Sequence, residues 1–173
     1  MNASKFFLKA ANSLITAIVA LFLILAAAYS GYALWDNAQV YAAVDDVQSE
    51  LMKLKPDPEQ KDGGASFEEL RKINPDVCGW ITLDHTKIDY PILQGEDNLT
   101  YINTDVYGDF ALSGSIFLDS GCDNTFQGKY SLLYGHHMAN HKMFGDLDLY
   151  RKKKFFDKNT TGLSLIHISE PTR

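Results

Sequence analysis

The chain opens on an apolar block that has no polar face. From Ala10 to Trp35, 26 residues pass without a charge, and LITAIVALFLILAAAYSGYALW (14–35) is almost wholly apolar. About 20 such residues are enough for a helix to cross the hydrocarbon layer of a membrane. A core helix of a soluble domain keeps a polar side, and this block keeps none. The pattern then becomes a stripe. Val40, Val44, Val47, Leu51 and Leu54 recur at spacings of 4, 3, 4 and 3, which predicts an amphipathic helix that packs on a domain or forms a short stalk. KPDPEQKDGGAS (55–66) reads as a linker. Ser66, three residues before Glu69 in SFEELRKINPD, gives a capping box that opens a short helix ending near Pro75.

Beyond Pro75 the period shortens. VCGWITL (77–83) and KIDYPILQ (87–94) are rich in β-branched and aromatic residues and flank the turn-like DHT. GSIFLDS (114–120) and YSLLYGH (130–136) are two further short strands, separated from their neighbours by long polar loops. Short strands with irregular loops predict a sheet sandwich or barrel. KMFGDLDLYRKKKFFDKN (142–159) reads as a helical or irregular excursion. Its basic run, Arg151–Lys154, fits the solvated side of a helix, with contact to wall or lipid as a second reading.

Charge sets the orientation of the apolar block. Lys5 and Lys9 precede it and Asp36 follows, so the positive-inside rule puts the N-terminus in the cytoplasm and the rest outside. Ala26, Ala27 and Ala28 offer small residues for a signal peptidase. The apolar run nevertheless continues past them to Trp35, longer than a signal peptide's core, which favours an uncleaved anchor. From Asp36 to Gly162 there are 13 Lys and Arg against 21 Asp and Glu. That balance excludes a nucleic-acid partner, which needs a clustered basic surface. Cys78 and Cys122, the two cysteines of the chain, form at most one disulfide and lie far from zinc-ligand spacing.

The stretch with the most chemistry is YSLLYGHHMANHKMF (130–144). His136, at a strand end after Gly135, has the imidazole chemistry to give and take a proton near neutral pH. His137 and His141, four apart, would share one face of a helix, as metal ligands can. Against a zinc-protease reading, HMANH lacks the glutamate of His-Glu-x-x-His. Taken alone, the residues leave a catalytic histidine, a metal site and a plain structural role all open.

GWITLDHTKIDYPILQGEDNLTYINTD, GSIFLDS and LLYGHHMANHKMFGDL, in that order, resemble the class B sortases over about residues 67–159. Sortases are membrane-anchored cysteine transpeptidases (EC 3.4.22-like). The resemblance implies a mainly β fold, a sortase-like closed β-barrel (incomplete in this chain) with N-terminal helices, preceded by one transmembrane helix. It implies a thiol that attacks a Thr–Gly-type bond in a C-terminal sorting signal. A cell-wall or pilin amine then resolves the thioester. The partners so implied are sorting-signal-bearing surface proteins or pilins, an amine acceptor and the membrane, with no cofactor and no metal. His136 takes the place of the family's general acid and base, and His137 a structural place beside it. Asn98, Tyr101 and Ile102 fall where the family contacts its sorting signal.

The chain departs from the family in one respect. The expected nucleophile lies in a Thr-Cys strand well after the histidine, followed by an arginine that steadies the oxyanion, and no cysteine follows Cys122 here. The expectation is therefore a fragment of a sortase, cut before its nucleophile and inactive as it stands. Its parts are a cytoplasmic N-terminus (1–9), an anchor (10–35), a stalk and linker (36–66) and the first part of the catalytic domain (67–162). The tail (163–173), LSLIHISEPTR, resembles translated sequencing-adapter bases, so its His167 and Arg173 carry no chemistry. The alternatives are a catalytically inactive anchored scaffold with a sortase-like barrel, or an exported metalloprotein built on His136, His137 and His141.

Overall fold

The computed structural model describes residues 3–57 and 64–166; residues 58–63 of the predicted linker and 167–173 of the tail lie outside them. Two compact units divide the chain, 1–39 and 40–173. The first is the apolar part of helix α1 (Ala3–Leu51), long and apolar enough to cross a membrane, with its apolar window wholly exposed.

The second unit begins with the last turns of α1. Val44 and Leu51 are buried, and Val47 and Leu54 pack partly buried beside them. The predicted stripe therefore covers the domain rather than forming a separate stalk, because its apolar face finds sheet residues to bury against. Helix α2 (Gly64–Ile73) starts two residues before Ser66, so the predicted capping box lies inside the helix. It ends where expected, with the Asn74 amide donating to Leu70 O at 2.9 Å just ahead of Pro75.

Strands β1 (Val77–Leu83) and β2 (Asp89–Leu93) form an antiparallel hairpin with Trp80 opposite Pro91. A bulge at Cys78 shifts the register between the Val77–Leu93 and Gly79–Ile92 pairs. A crossover, residues 94–115, then carries the chain to β3 (Ile116–Leu118), which lies parallel to β2. β4 (Leu133–Tyr134) pairs antiparallel with β3. β7 (Gly162–Ile166) pairs antiparallel with the far side of β1, so residues 163–166 of the expected tail form a strand.

The order β4-β3-β2-β1-β7 leaves two edges, so the described residues form an open sheet and no closed barrel; the sequence predicts that barrel only as an incomplete one in this chain. Closure requires enough tilted strands for the last to meet the first. Here the edge strand β4 is two residues long and β7 lies at the opposite side. Nor is the chain mainly β: α1 alone holds more residues than all strands together.

Both faces of the sheet are covered, which is why its strands read as nearly continuous apolar runs. Phe117 joins Trp80, Leu93, Tyr101, Phe67 and Leu70 on one side. Its neighbours Ile116 and Leu118 point the other way, to Ile88, Ile92, Tyr90 and Met143, as the two-residue period of a strand dictates. Asp89 ties this core to the segment that follows α1, accepting from Trp80 Nε1 at 2.6 Å, Thr82 Oγ1 at 2.9 Å and Lys55 Nζ at 2.7 Å.

A small hairpin, β5 (His137–Met138) and β6 (Lys142–Met143), follows the sheet. The excursion predicted after it is a 3₁₀ segment, Phe144–Arg151, and a single turn α3 (Lys153–Phe156) that leaves Arg151–Lys154 exposed. Gly145 is required there: a Cβ would stand 2.0 Å from Met138 O.

Candidate active site

His136 sits between β4 and β5, half-buried, with its carbonyl accepting from Phe144 N at 2.9 Å. Among the described residues no hydrogen bond engages its imidazole, so both ring nitrogens are open to a bound molecule. Gly135 before it packs closely. A Cβ there would lie 2.3 Å from Ile116 Cδ1 and 3.0 Å from Phe144 Cδ2, so glycine lets the strand end settle against the core.

The histidine lines an open cleft of about 430 Å³ with Asn98, Ile102, Phe117, Tyr134 and Gly135. Three separate parts of the chain meet there. Asn98 and Ile102 come from the crossover, Phe117 from β3, and Tyr134 to His136 from the end of β4. Tyr134 packs tilted against Phe117 with ring centroids 5.3 Å apart. The crossover is shaped locally by Asp97, whose Oδ1 accepts from Leu99 N at 2.9 Å and from Thr100 N and Oγ1 at 2.8 Å. Those bonds, the Thr100 amide first, hold the Asp97 carboxyl below the usual carboxylate range. They also start the single 3₁₀ turn Thr100–Ile102, which aims Ile102 at the cleft.

Asn98 is fixed at both ends of its amide. Its Nδ2 donates to Asp119 Oδ2 at 2.8 Å, and its Oδ1 accepts from Ser120 N at 2.8 Å. Tyr101 does not line the cleft. It is 3 % exposed, and its hydroxyl donates to Asp76 Oδ2 at 2.7 Å while accepting from Asn74 Nδ2 at 3.1 Å. Burial, then the bond to Asp76, pushes its phenol up to about 12.

The other histidines face carboxylates. His137 Nε2 lies 3.0 Å from Asp148 Oδ2, and His141 Nδ1 meets Asp146 Oδ1. Asp146 is buried and also accepts from Lys87 N at 2.6 Å. His137 and His141 stand on a hairpin whose turn holds Asn140 and His141 at φ of 57° and 64°, so helical spacing does not bring them to one face. No three His, Cys, Asp or Glu side chains converge on one point among the described residues.

Neither cysteine lines the cleft. Cys78 is 4 % exposed, its Sγ donates to Ile92 O at 3.4 Å, and burial pushes its thiol up to about 12. Such a group is almost wholly protonated near neutrality and a poor nucleophile. Cys122 is half-buried and free.

Sequence reasoning passed over Tyr134 and Phe117. Tyr134 carried a usable signal, standing two residues before His136 and so on the same side of a continuing strand. Phe117 carried none, because only the parallel pairing of β2 and β3 brings it to the cleft.

No family model matches the chain. It is 41 % identical over 93 residues to sortase B of Staphylococcus aureus, covering 54 % of this chain and 38 % of the relative. It is 35 % identical over 135 residues to sortase B of Listeria monocytogenes, covering 76 % of this chain and 54 % of the relative. A solved class B sortase of Streptococcus pyogenes, involved in pilus biogenesis, matches with a TM-score of 0.56 and 52 % identity, covering 58 % of this chain and 56 % of that one. The chain thus spans about half the length or less of the curated relatives it matches.

Proposed function

Because the chain belongs to the class B sortases over the part it shares with them, we propose that the intact protein is a membrane-anchored cysteine transpeptidase. It cleaves the C-terminal sorting signal of a surface protein or pilin and joins the new carboxyl end to a cell-wall or pilin amine. A thiol attacks the scissile carbonyl and the amine leaves with a proton from His136. The resulting thioester is then opened by the incoming amine, whose proton His136 takes up. The thiol comes from chain beyond residue 162, since Cys78 is buried and protonated and Cys122 does not reach the cleft lining. Asn98 and Ile102 contact the sorting signal, while Tyr101 contributes from beneath by holding the crossover. The apolar part of α1 is the anchor, with the N-terminus in the cytoplasm and the cleft outside.

The observation that carries this reading is the meeting of His136 with Asn98 and Ile102 in one open cleft, although they lie far apart in sequence. The test is to sequence the gene beyond codon 162, express its complete product and incubate it with a library of Thr–Gly-containing sorting peptides. Mass spectrometry should find an acyl adduct on a cysteine C-terminal to residue 162. An adduct on Cys78 or Cys122 refutes the assignment. A complete product with no further cysteine makes the protein a non-catalytic scaffold.

A further inference from the structure

We propose that Asp119 is a positioning residue of the cleft, fixing which hydrogen-bonding groups Tyr134 and Asn98 present to an extended peptide; this rests on the peptide-binding reading above. Asp119 follows β3, and its backbone is held firmly. Its amide donates to Leu132 O at 2.9 Å, and its carbonyl accepts from Cys122 N at 2.9 Å and Gln94 Nε2 at 2.9 Å. Gln94 donates also to Cys122 O at 2.8 Å, so the end of β2 clamps the whole turn 119–122. The carboxylate therefore has little freedom.

Its two oxygens have different tasks. Oδ1 accepts from Gly121 N at 2.9 Å and belongs to the turn. Oδ2 accepts from Asn98 Nδ2 at 2.8 Å and from Tyr134 Oη at 3.1 Å, two side chains that line the cleft from opposite sides of a 36-residue separation. The Gly121 amide first, and then the Tyr134 and Asn98 donors, hold this carboxyl below the usual carboxylate range. It stays an acceptor at neutral pH.

The consequence is a fixed polarity. Tyr134 has one hydroxyl proton and gives it to Asp119, so its oxygen offers only lone pairs to a ligand. Asn98 cannot flip. Reversal would set its oxygen against the Asp119 carboxylate and its NH₂ against the Ser120 N–H. Its second N–H remains for a carbonyl. An extended peptide presents N–H and C=O groups alternately, and this wall supplies an acceptor at Tyr134 and a donor at Asn98. Without Asp119 both side chains could rotate, and the wall would match no single register.

The test uses the full chain in detergent, labelled with ¹³Cζ-tyrosine and with ¹⁵N in the asparagine side chains, as wild type, Asp119→Asn and Asp119→Ala. Asparagine keeps the volume but loses the charge and one acceptor; alanine removes both acceptors. Asp119, ahead of burial, pushes the Tyr134 phenol above its usual range, so its titration midpoint should fall towards the ordinary value in both variants. The probe is acetyl-Thr-Gly-amide, with an N-methyl-Gly version that lacks one N–H. It should shift the Asn98 and Tyr134 resonances of the wild type, and its dissociation constant should rise about fivefold or more in each variant. The N-methyl probe should bind the wild type more weakly than its parent does, and should lose less affinity in the variants than its parent loses. A midpoint that does not move, or probe affinity unchanged in well-dispersed variants, overturns the proposal. A probe that leaves wild-type resonances unmoved overturns the peptide reading of the cleft, and with it the recognition role of Asp119, even where the Tyr134 midpoint moves as expected.

Discussion

The Tyr101 hydroxyl donates to Asp76 at 2.7 Å and accepts from Asn74 at 3.1 Å, and Asn74 donates also to Val106 O at 3.0 Å. One phenol thus ties the crossover to the residues that end α2. Tyr101→Phe keeps the ring and strands Asp76 and Asn74, so it should cost about 1–2 kcal/mol, read from urea unfolding. Turnover of a sorting peptide by the complete protein should change little at a temperature where the variant is folded. A large loss of turnover at unchanged stability would mean that Tyr101 touches the substrate.

Two buried groups make the fold sensitive to alkali. Burial raises both Cys78, from 9.0, and Tyr101, from 10.0, to about 12. The unfolded chain releases these protons first, so the folded state is favoured fully below pH 9, and that advantage is lost as pH rises towards 12. Stability measured in denaturant from pH 8 to pH 11 should decline, and Cys78→Val should flatten the part of the decline that starts near pH 9. A decline of the same steepness in the variant would assign it to other groups. In the native state at neutral pH, iodoacetamide should label Cys122 and spare Cys78.

The three neighbouring histidines should separate cleanly. General acid–base catalysis contributes about 10²–10⁴-fold, so His136→Ala in the complete protein should lose turnover on that scale. His137 and His141 hold the β5–β6 hairpin to Asp148 and Asp146, and their alanine variants should mainly lose stability. The exposed His137–Asp148 pair is worth less than about 1 kcal/mol. Equal loss in all three variants, reproduced by a chelator, would point to a metal instead.

Protease added to intact cells should remove the chain beyond about Asp36 and spare an epitope placed at the N-terminus. A mature form beginning near Tyr29 would show that the apolar block is a cleaved signal.

Much of this was legible in the sequence because it is local. The run Val77–Leu83 forms β1 with the bounds its composition indicates. The stripe from Val44 to Leu54 and the helix stop before Pro75 follow from spacing and from proline. What escaped depends on pairing at a distance. β4 kept only Leu133 and Tyr134 of its predicted run, since β3 is three residues long and offers no more partners. The roles of Asn98 and Asp119 are joined by a bond across 21 residues. Nothing in either loop announces it. Tyr101 and Ile102 are adjacent in sequence, yet one is buried in the core and the other lines the cleft, because the 3₁₀ turn rotates them apart.

The crossover of residues 94–115 also sets an order of events in time. The β1–β2 hairpin closes through a short turn, with Leu83 N donating to Ile88 O at 3.0 Å, and such closures take about microseconds. The parallel β2–β3 pair must first close the long connection, an entropic cost met before any of its contacts reward it. Asn98 and Ile102 ride on that connection, and His136 arrives only after β3 has a partner in β4. Substitutions in the hairpin should therefore slow folding, whereas substitutions around the cleft should chiefly hasten unfolding. By this order of closure the cleft forms after the hairpin it rests on.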